Sequence, residues 1–212
     1  MRRAYLHGFA GSPLSKKGLL LRKAFEAAGL ELLLPDLNAP SFAELSPRAM
    51  LGVLDTLDAE EGDEQAWGFV GSSFGGWLSA RWAELHPTRV ARLLLLCPAF
   101  DLAGRWPELL PPGAMDKWRR DGSLLMPDSA GTPTRVHYRF YEESRAEPAF
   151  PSVPCPTLII HGIRDTTVPI EGSRRYAAER EHVELVEVDD VHDLMASQQL
   201  IVERALAWLG KS

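Results

Sequence analysis

Gly71-Ser72-Ser73-Phe74-Gly75 satisfies the pattern G-x-S-x-G with Ser73 at its centre. Ser72 cannot fill that role, because Val70 and Phe74 would then stand where the pattern needs glycine. The chemistry such a residue performs is attack by a hydroxyl oxygen on an acyl carbon. A strand that turns at once into a helix pushes the intervening side chain out at the carboxyl edge of the sheet. The turn also forces that residue into a strained backbone conformation. Side chains two positions before and after it would collide with the turn, which is why glycine flanks it. The helix that follows aims its positive end at the same spot.

A serine hydroxyl at neutral pH needs an adjacent base. Where this elbow occurs, the chain order is serine, then carboxylate, then histidine. Of the six histidines, only His182 and His192 come late. His182 precedes an expected strand over 183–189, whereas His192 follows it, at the carboxyl edge where Ser73 is expected. His192 is therefore the candidate base. The expected strand over 157–162 runs into Ile163-Arg164-Asp165, and Asp165 is the candidate acid that would hold the imidazole in one tautomer. Asp101, after the expected strand over 90–97, is its rival. Asp189, Asp190 and Asp193 crowd His192, but close neighbours in a tight loop seldom aim at the ring nitrogen. They read as solvated or capping groups, with Asp193 as a cap for the last helix. The developing oxyanion needs backbone donors, each worth about 3 kcal/mol. The N–H of Phe74 is one candidate. The other is that of Phe9, in the glycine-rich loop His7-Gly8-Phe9-Ala10-Gly11; His7 itself reads as a structural loop histidine.

Alternating elements position these groups. Strands are expected over 3–7, 31–37, 66–71, 90–97, 157–162 and 183–189. Helices are expected over 13–28, 46–60, 74–86, 170–181 and 193–209. Gly29 is the expected stop of the first helix, and Ser46-Pro47 suits the start of the second. Such alternation implies a parallel sheet of about six strands with helices on both faces. Leu93-Leu94-Leu95-Leu96 suits a strand covered on both sides. The rhythm breaks over 101–150, rich in proline, glycine and aromatic residues. The chain reads as one domain, 1–212, with 101–150 inserted as a lid and a hairpin expected over 122–141. Trp106, Trp118 and Met126 are expected to roof Ser73 and line an acyl pocket.

Bulk properties exclude several classes. The net charge is −6, and Lys and Arg never run beyond pairs, which argues against a nucleic-acid surface. No apolar stretch approaches the ~18 residues needed to span a bilayer. Met1-Arg2-Arg3 leads into no apolar signal region, so a cytoplasmic location is expected. Cys97 and Cys155, the two cysteines, lack a CxxC or metal-ligand spacing and are expected to be buried thiols. No dinucleotide fingerprint, P-loop or ligand cluster is visible, so neither metal nor cofactor is expected.

Taken together, Tyr5-Leu6-His7-Gly8-Phe9, the elbow at Ser73, His161-Gly162 with Asp165 and Val168-Pro169, and His192 resemble the α/β-hydrolase superfamily over nearly the whole chain. Ser12-Pro13, Lys16, Pro35-Asp36-Leu37 and the Gly-Ser-Ser-x-Gly-Gly elbow are similar to the small bacterial YqiA/YcfP-like esterases. The resemblance implies a three-layer α/β-hydrolase fold and cofactor-free hydrolysis of a small-molecule ester or thioester, with Ser73, Asp165 and His192 as triad. The chain opens at the strand before the oxyanion loop, so the first two strands of the full fold are expected to be missing. The same triad serves peptidases, acyltransferases and carbon–carbon hydrolases, and a non-hydrolytic ligand-binding protein is the alternative outside enzymes.

Overall fold

The computed structural model describes residues 1–62 and 64–210. In chain order its elements are β1 (Arg2–Leu6), α1 (Lys16–Ala27), α2 (Pro47–Glu61), β2 (Trp67–Ser72), α3 (Phe74–Leu85), β3 (Val90–Leu96), α4 (Leu102–Leu109), α5 (Ala114–Asp121), β4 (Ser123–Pro127), β5 (Pro133–His137), α6 (Arg139–Ala146), β6 (Thr157–Gly162), α7 (Glu171–Ala178), β7 (Val183–Val188) and α8 (Gln198–Leu209). The main sheet has five strands in the order β1-β2-β3-β6-β7, and every neighbouring pair is parallel.

Period-two alternation divides the strand side chains between two cores. Leu93 and Leu95 pack with Phe69, Ile159, α2 and α3 on one face. Leu94 and Leu96 pack with Val70, Ile160, α1 and α8 on the other. The four-leucine run is thus covered on both sides, giving the three layers of an α/β-hydrolase fold. Helix α2 starts where Ser46-Pro47 suggested: Ser46 Oγ accepts from the Ala49 N–H at 3.2 Å, and Pro47 takes the first helical position. No helix among the described residues is long and apolar enough to cross a membrane.

The expected sixth strand, 31–37, is not a strand. Leu33 alone bridges to β1, donating to the Arg3 carbonyl at 2.9 Å and accepting from the Tyr5 N–H at 2.8 Å. Pro35 has no N–H to extend the ladder. The Leu37 N–H is drawn instead to His7 Nε2 at 3.0 Å. The last helix begins at Gln198 rather than 193, because the residues between form the turns that carry His192.

Segment 101–150 contains the expected hairpin, β4 paired antiparallel with β5. Asp128 pins its turn, its Oδ1 accepting from the N–H groups of Ala130 and Thr132 at 2.9 Å each. Around the hairpin stand three helices, α4, α5 and α6, of eight residues each. Two turns offer too few apolar positions for a helical period to show, so the pattern missed them.

Candidate active site

The elbow forms where β2 meets α3. Ser73 adopts φ 54° and ψ −119°, a left-handed conformation that costs a non-glycine residue about 1–3 kcal/mol. Its neighbours hold it there. The Ser73 N–H donates to the Leu96 carbonyl at 2.9 Å, and its carbonyl accepts from the Ala99 N–H at 2.9 Å. A side chain at Gly75 would run into the Leu6 carbonyl oxygen, and one at Gly71 into the Gly75 carbonyl. Both glycines are therefore steric requirements.

Ser73 Oγ lies 3.0 Å from His192 Nε2, and His192 Nδ1 lies 2.6 Å from Asp165 Oδ2. The geometry brings together the three residues proposed from sequence. Asp101 is elsewhere: it stands at the head of α4 with φ 55°, and Asp165 occupies the place beside the imidazole. Asp165 Oδ1 accepts from the Thr167 and Val168 N–H groups at 2.9 and 2.8 Å. Burial works to raise this carboxyl's pKa. Hydrogen bonds from His161, His192 and the Val168 amide outweigh it and hold the group well below the usual carboxylate range.

Four residues to which the sequence assigned no catalytic role shape this centre. His161 is fully buried, its Nε2 2.9 Å from the Val168 carbonyl and 3.3 Å from Asp165 Oδ2, and its Nδ1 2.8 Å from Ser173 Oγ. It fixes both the carboxylate and the loop that feeds it amides. Asp190, read from sequence as solvated or capping, is 3% exposed. It accepts from the Val191 N–H and from both the N–H and hydroxyl of Ser197, each at 2.8 Å. Asp190 thus clamps the loop bearing His192 to the start of α8. Asp193, the expected cap of the last helix, instead accepts from the Met195 N–H at 3.1 Å. The expectation fails because the helix starts five residues later than its apolar pattern.

Cys97 is the third of these residues, and Cys97 and Cys155 are both buried free thiols. Burial above all, with Asp165 adding, pushes the Cys97 thiol pKa up to about 12, so it stays protonated. Lys17, in the first turn of α1, has its pKa lowered chiefly by burial, and it feels the charges of Asp193, Asp165 and Asp190. Among the described residues, the ligand atoms of Cys97, Asp165 and His192 gather within 4.8 Å. The imidazole and carboxylate of that cluster already hydrogen-bond each other.

The oxyanion candidates sit on rigid supports. The Phe74 N–H opens α3 and so lies ahead of that helix's own hydrogen-bond ladder. The Phe9 loop touches the nucleophile, since a Cβ on Gly8 would stand 3.0 Å from Ser73 Cβ and 3.6 Å from its Oγ. His7 anchors the loop, donating from Nδ1 to the Gly8 carbonyl at 2.9 Å and accepting the Leu37 N–H at Nε2. Burial above all lowers its pKa, which keeps the ring neutral in that role. The Phe9 ring is held by Phe42, Trp106 and Phe140, with centroids 5.2, 5.3 and 5.1 Å away.

The three residues expected to roof Ser73 are all buried. Trp118 is fully buried, and its Nε1 donates to the Val136 carbonyl at 2.9 Å. Met126 is buried in the same core. Both belong to the same core as Phe74, the residue after Ser73. Trp106 is buried as well and packs on the Phe9 ring and on Phe140, which in turn meets Phe74. The sequence showed that the segment is apolar, but not which side of it faces the sheet.

Known proteins share this architecture. Palmitoyl-protein thioesterase ABHD10, mitochondrial, of Mus musculus is 29% identical over 133 residues, 60% of this chain and 43% of that protein. The match therefore spans less than half of the mouse protein. A crystal structure from Agrobacterium vitis S4 superposes with a TM-score of 0.83 at 21% identity, covering 97% of this chain and 87% of that one. The structure of mouse alpha/beta hydrolase domain-containing protein 10 gives 0.76 at 22% identity, covering 94% and 85%. The profile of the uncharacterised protein family UPF0227 matches residues 3–207. The chain belongs to that family, and it has the fold of the α/β hydrolases.

Proposed function

We propose that this protein is a serine hydrolase that cleaves a carboxylic ester or thioester through an acyl-enzyme. The observation that carries the reading is the unbroken chain from Ser73 Oγ through His192 to Asp165, at 3.0 and 2.6 Å. Such spacing suits transfer of the hydroxyl proton to the imidazole as Oγ attacks the carbonyl carbon. The new oxyanion would lie against the N–H groups of Phe9 and Phe74. His192, now protonated and steadied by Asp165, returns the proton to the departing alkoxide or thiolate. A water then attacks the acyl-serine as His192 takes its proton; the imidazole hands that proton to Ser73 Oγ as the acyl–oxygen bond breaks, and the acid leaves. Segment 101–150 acts as the cap of this centre, bracing Phe9 through Trp106 and Phe140.

The thioesterase name of the mouse relative and the half-buried Ser73 beside the glycine-rich Phe9 loop both fit acyl transfer. The test is reaction with a fluorophosphonate probe alongside hydrolysis of p-nitrophenyl and thioester substrates. Wild type is expected to label and turn over, and Ser73→Ala to do neither. Equal labelling of wild type and Ser73→Ala would overturn the assignment.

A further inference from the structure

A cavity of about 460 Å³ opens between α3, α4 and α6. Its wall includes Phe74, which follows Ser73 in the chain, and Ala99, whose N–H donates to the Ser73 carbonyl at 2.9 Å. Trp77, Leu102, Pro107 and Tyr141 make much of the lining apolar. Three charged side chains share the wall. Glu147 Oε2 accepts from Arg81 Nε at 2.7 Å. The Asp101 carboxylate lies over Gly104 in the first turn of α4, where a Cβ on Gly104 would stand 2.6 and 2.8 Å from its oxygens. An anion at that end of a helix is favoured by the backbone dipoles. Arg145 is the one cation among them. It is exposed and stacks over the Tyr141 ring at 5.7 Å, and no carboxylate pairs with it among the described residues. Tyr141 thereby holds a guanidinium at the wall of an apolar slot with its donors free.

We propose that this cavity receives the acyl part of the substrate and that Arg145 makes it favour acyl chains ending in a carboxylate. The inference rests on the serine-hydrolase reading above and adds the substrate class. An apolar chain of methylenes matches the lining, and a planar fork of donors matches a terminal carboxylate. Arg145 touches no reacting atom; it selects.

Two esters of equal acyl length, p-nitrophenyl hexanoate and mono-p-nitrophenyl adipate, differ only at the distal end and isolate the effect. Wild type is expected to favour the adipate in kcat/KM by roughly five- to tenfold, as befits one charge-assisted contact at a partly exposed site. The gain should appear mainly in KM and shrink as salt is raised. In Arg145→Gln the ratio should fall to about one, and Arg145→Lys should recover part of it. The ratio is internal to each variant, so a lower folded fraction cannot imitate the result. Equal rates on the two esters, or a preference that survives Arg145→Gln, would overturn the subsite while leaving the hydrolase reading intact. An Arg145 effect seen only with a sulfonated leaving group would also overturn it. Hydrolysis of neither ester would remove the functional reading and the subsite with it.

Discussion

The centre around Ser73 and the inserted segment treat buried polar groups in opposite ways. At the centre, Asp165 accepts from two amides and an imidazole, and Asp190 accepts from two amides and a hydroxyl. In the insertion, Arg105 Nε, Trp106 Nε1 and Glu143 Oε2 are buried without a partner. A polar atom left unpaired in the interior costs about 1–3 kcal/mol. The centre is therefore built to hold one geometry, as proton transfer over a fixed distance requires. The insertion is cohesive through its aromatic cluster and leaves these polar atoms without a protein partner.

The largest expected effect tests the rigid half of this contrast. Ser73→Ala should lower ester turnover on the order of 10⁶-fold with little change in the urea midpoint; a variant that keeps most of its activity would break the comparison at its root. Asp165→Asn comes next, with kcat falling on the order of 10⁴-fold because the imidazole loses its acceptor and its tautomer.

The same variant carries a pH signature. The native Asp165 carboxyl is held below its unfolded value of about 3.9. Its contribution to stability is thus complete above that pH and vanishes as pH falls through the lower native value. Acid unfolding monitored by circular dichroism should show a shallower loss of stability below about pH 4 in Asp165→Asn than in wild type. Identical acid limbs would show that Asp165 is not the tightly held anion described.

The smallest effect sharpens the contrast within the insertion. Trp118→Phe and Trp106→Phe remove the same ring volume, so their packing costs largely cancel when compared. Only Trp118 has a bonded indole N–H, donating to the Val136 carbonyl, whereas that of Trp106 is unpaired. Trp118→Phe should be the more destabilising by about 1–2 kcal/mol in chemical denaturation. Equal losses would mean that the Trp106 indole also has a partner, and the unpaired half of the comparison would fall.

Legibility in the sequence followed the range of the interaction responsible. The elbow was readable because its requirement is local: a strained turn excludes side chains at Gly71 and Gly75 whatever the rest of the chain does. His192 and Asp165 were readable because each follows a strand, and a parallel sheet brings all strand ends to one edge. Leu93 to Leu96 announced a doubly covered strand by composition alone. Segment 31–37 looked equally like a strand, yet its backbone is diverted to His7 and limited by Pro35. That outcome depends on a partner some thirty residues away.

The sequence by itself determined the candidate nucleophile, the order of its proposed partners and the layered architecture, since these follow from backbone sterics and periodicity. Only the tertiary structure decided that Asp190 rather than Asp193 secures the histidine loop, that His161 steadies the acid, and that Trp118 and Met126 face inward. It likewise decided that Arg145 stands unpaired beside an apolar cavity. Each of those depends on side chains from distant elements meeting, and the free energy of such contacts is set by packing and desolvation at positions the linear pattern does not contain.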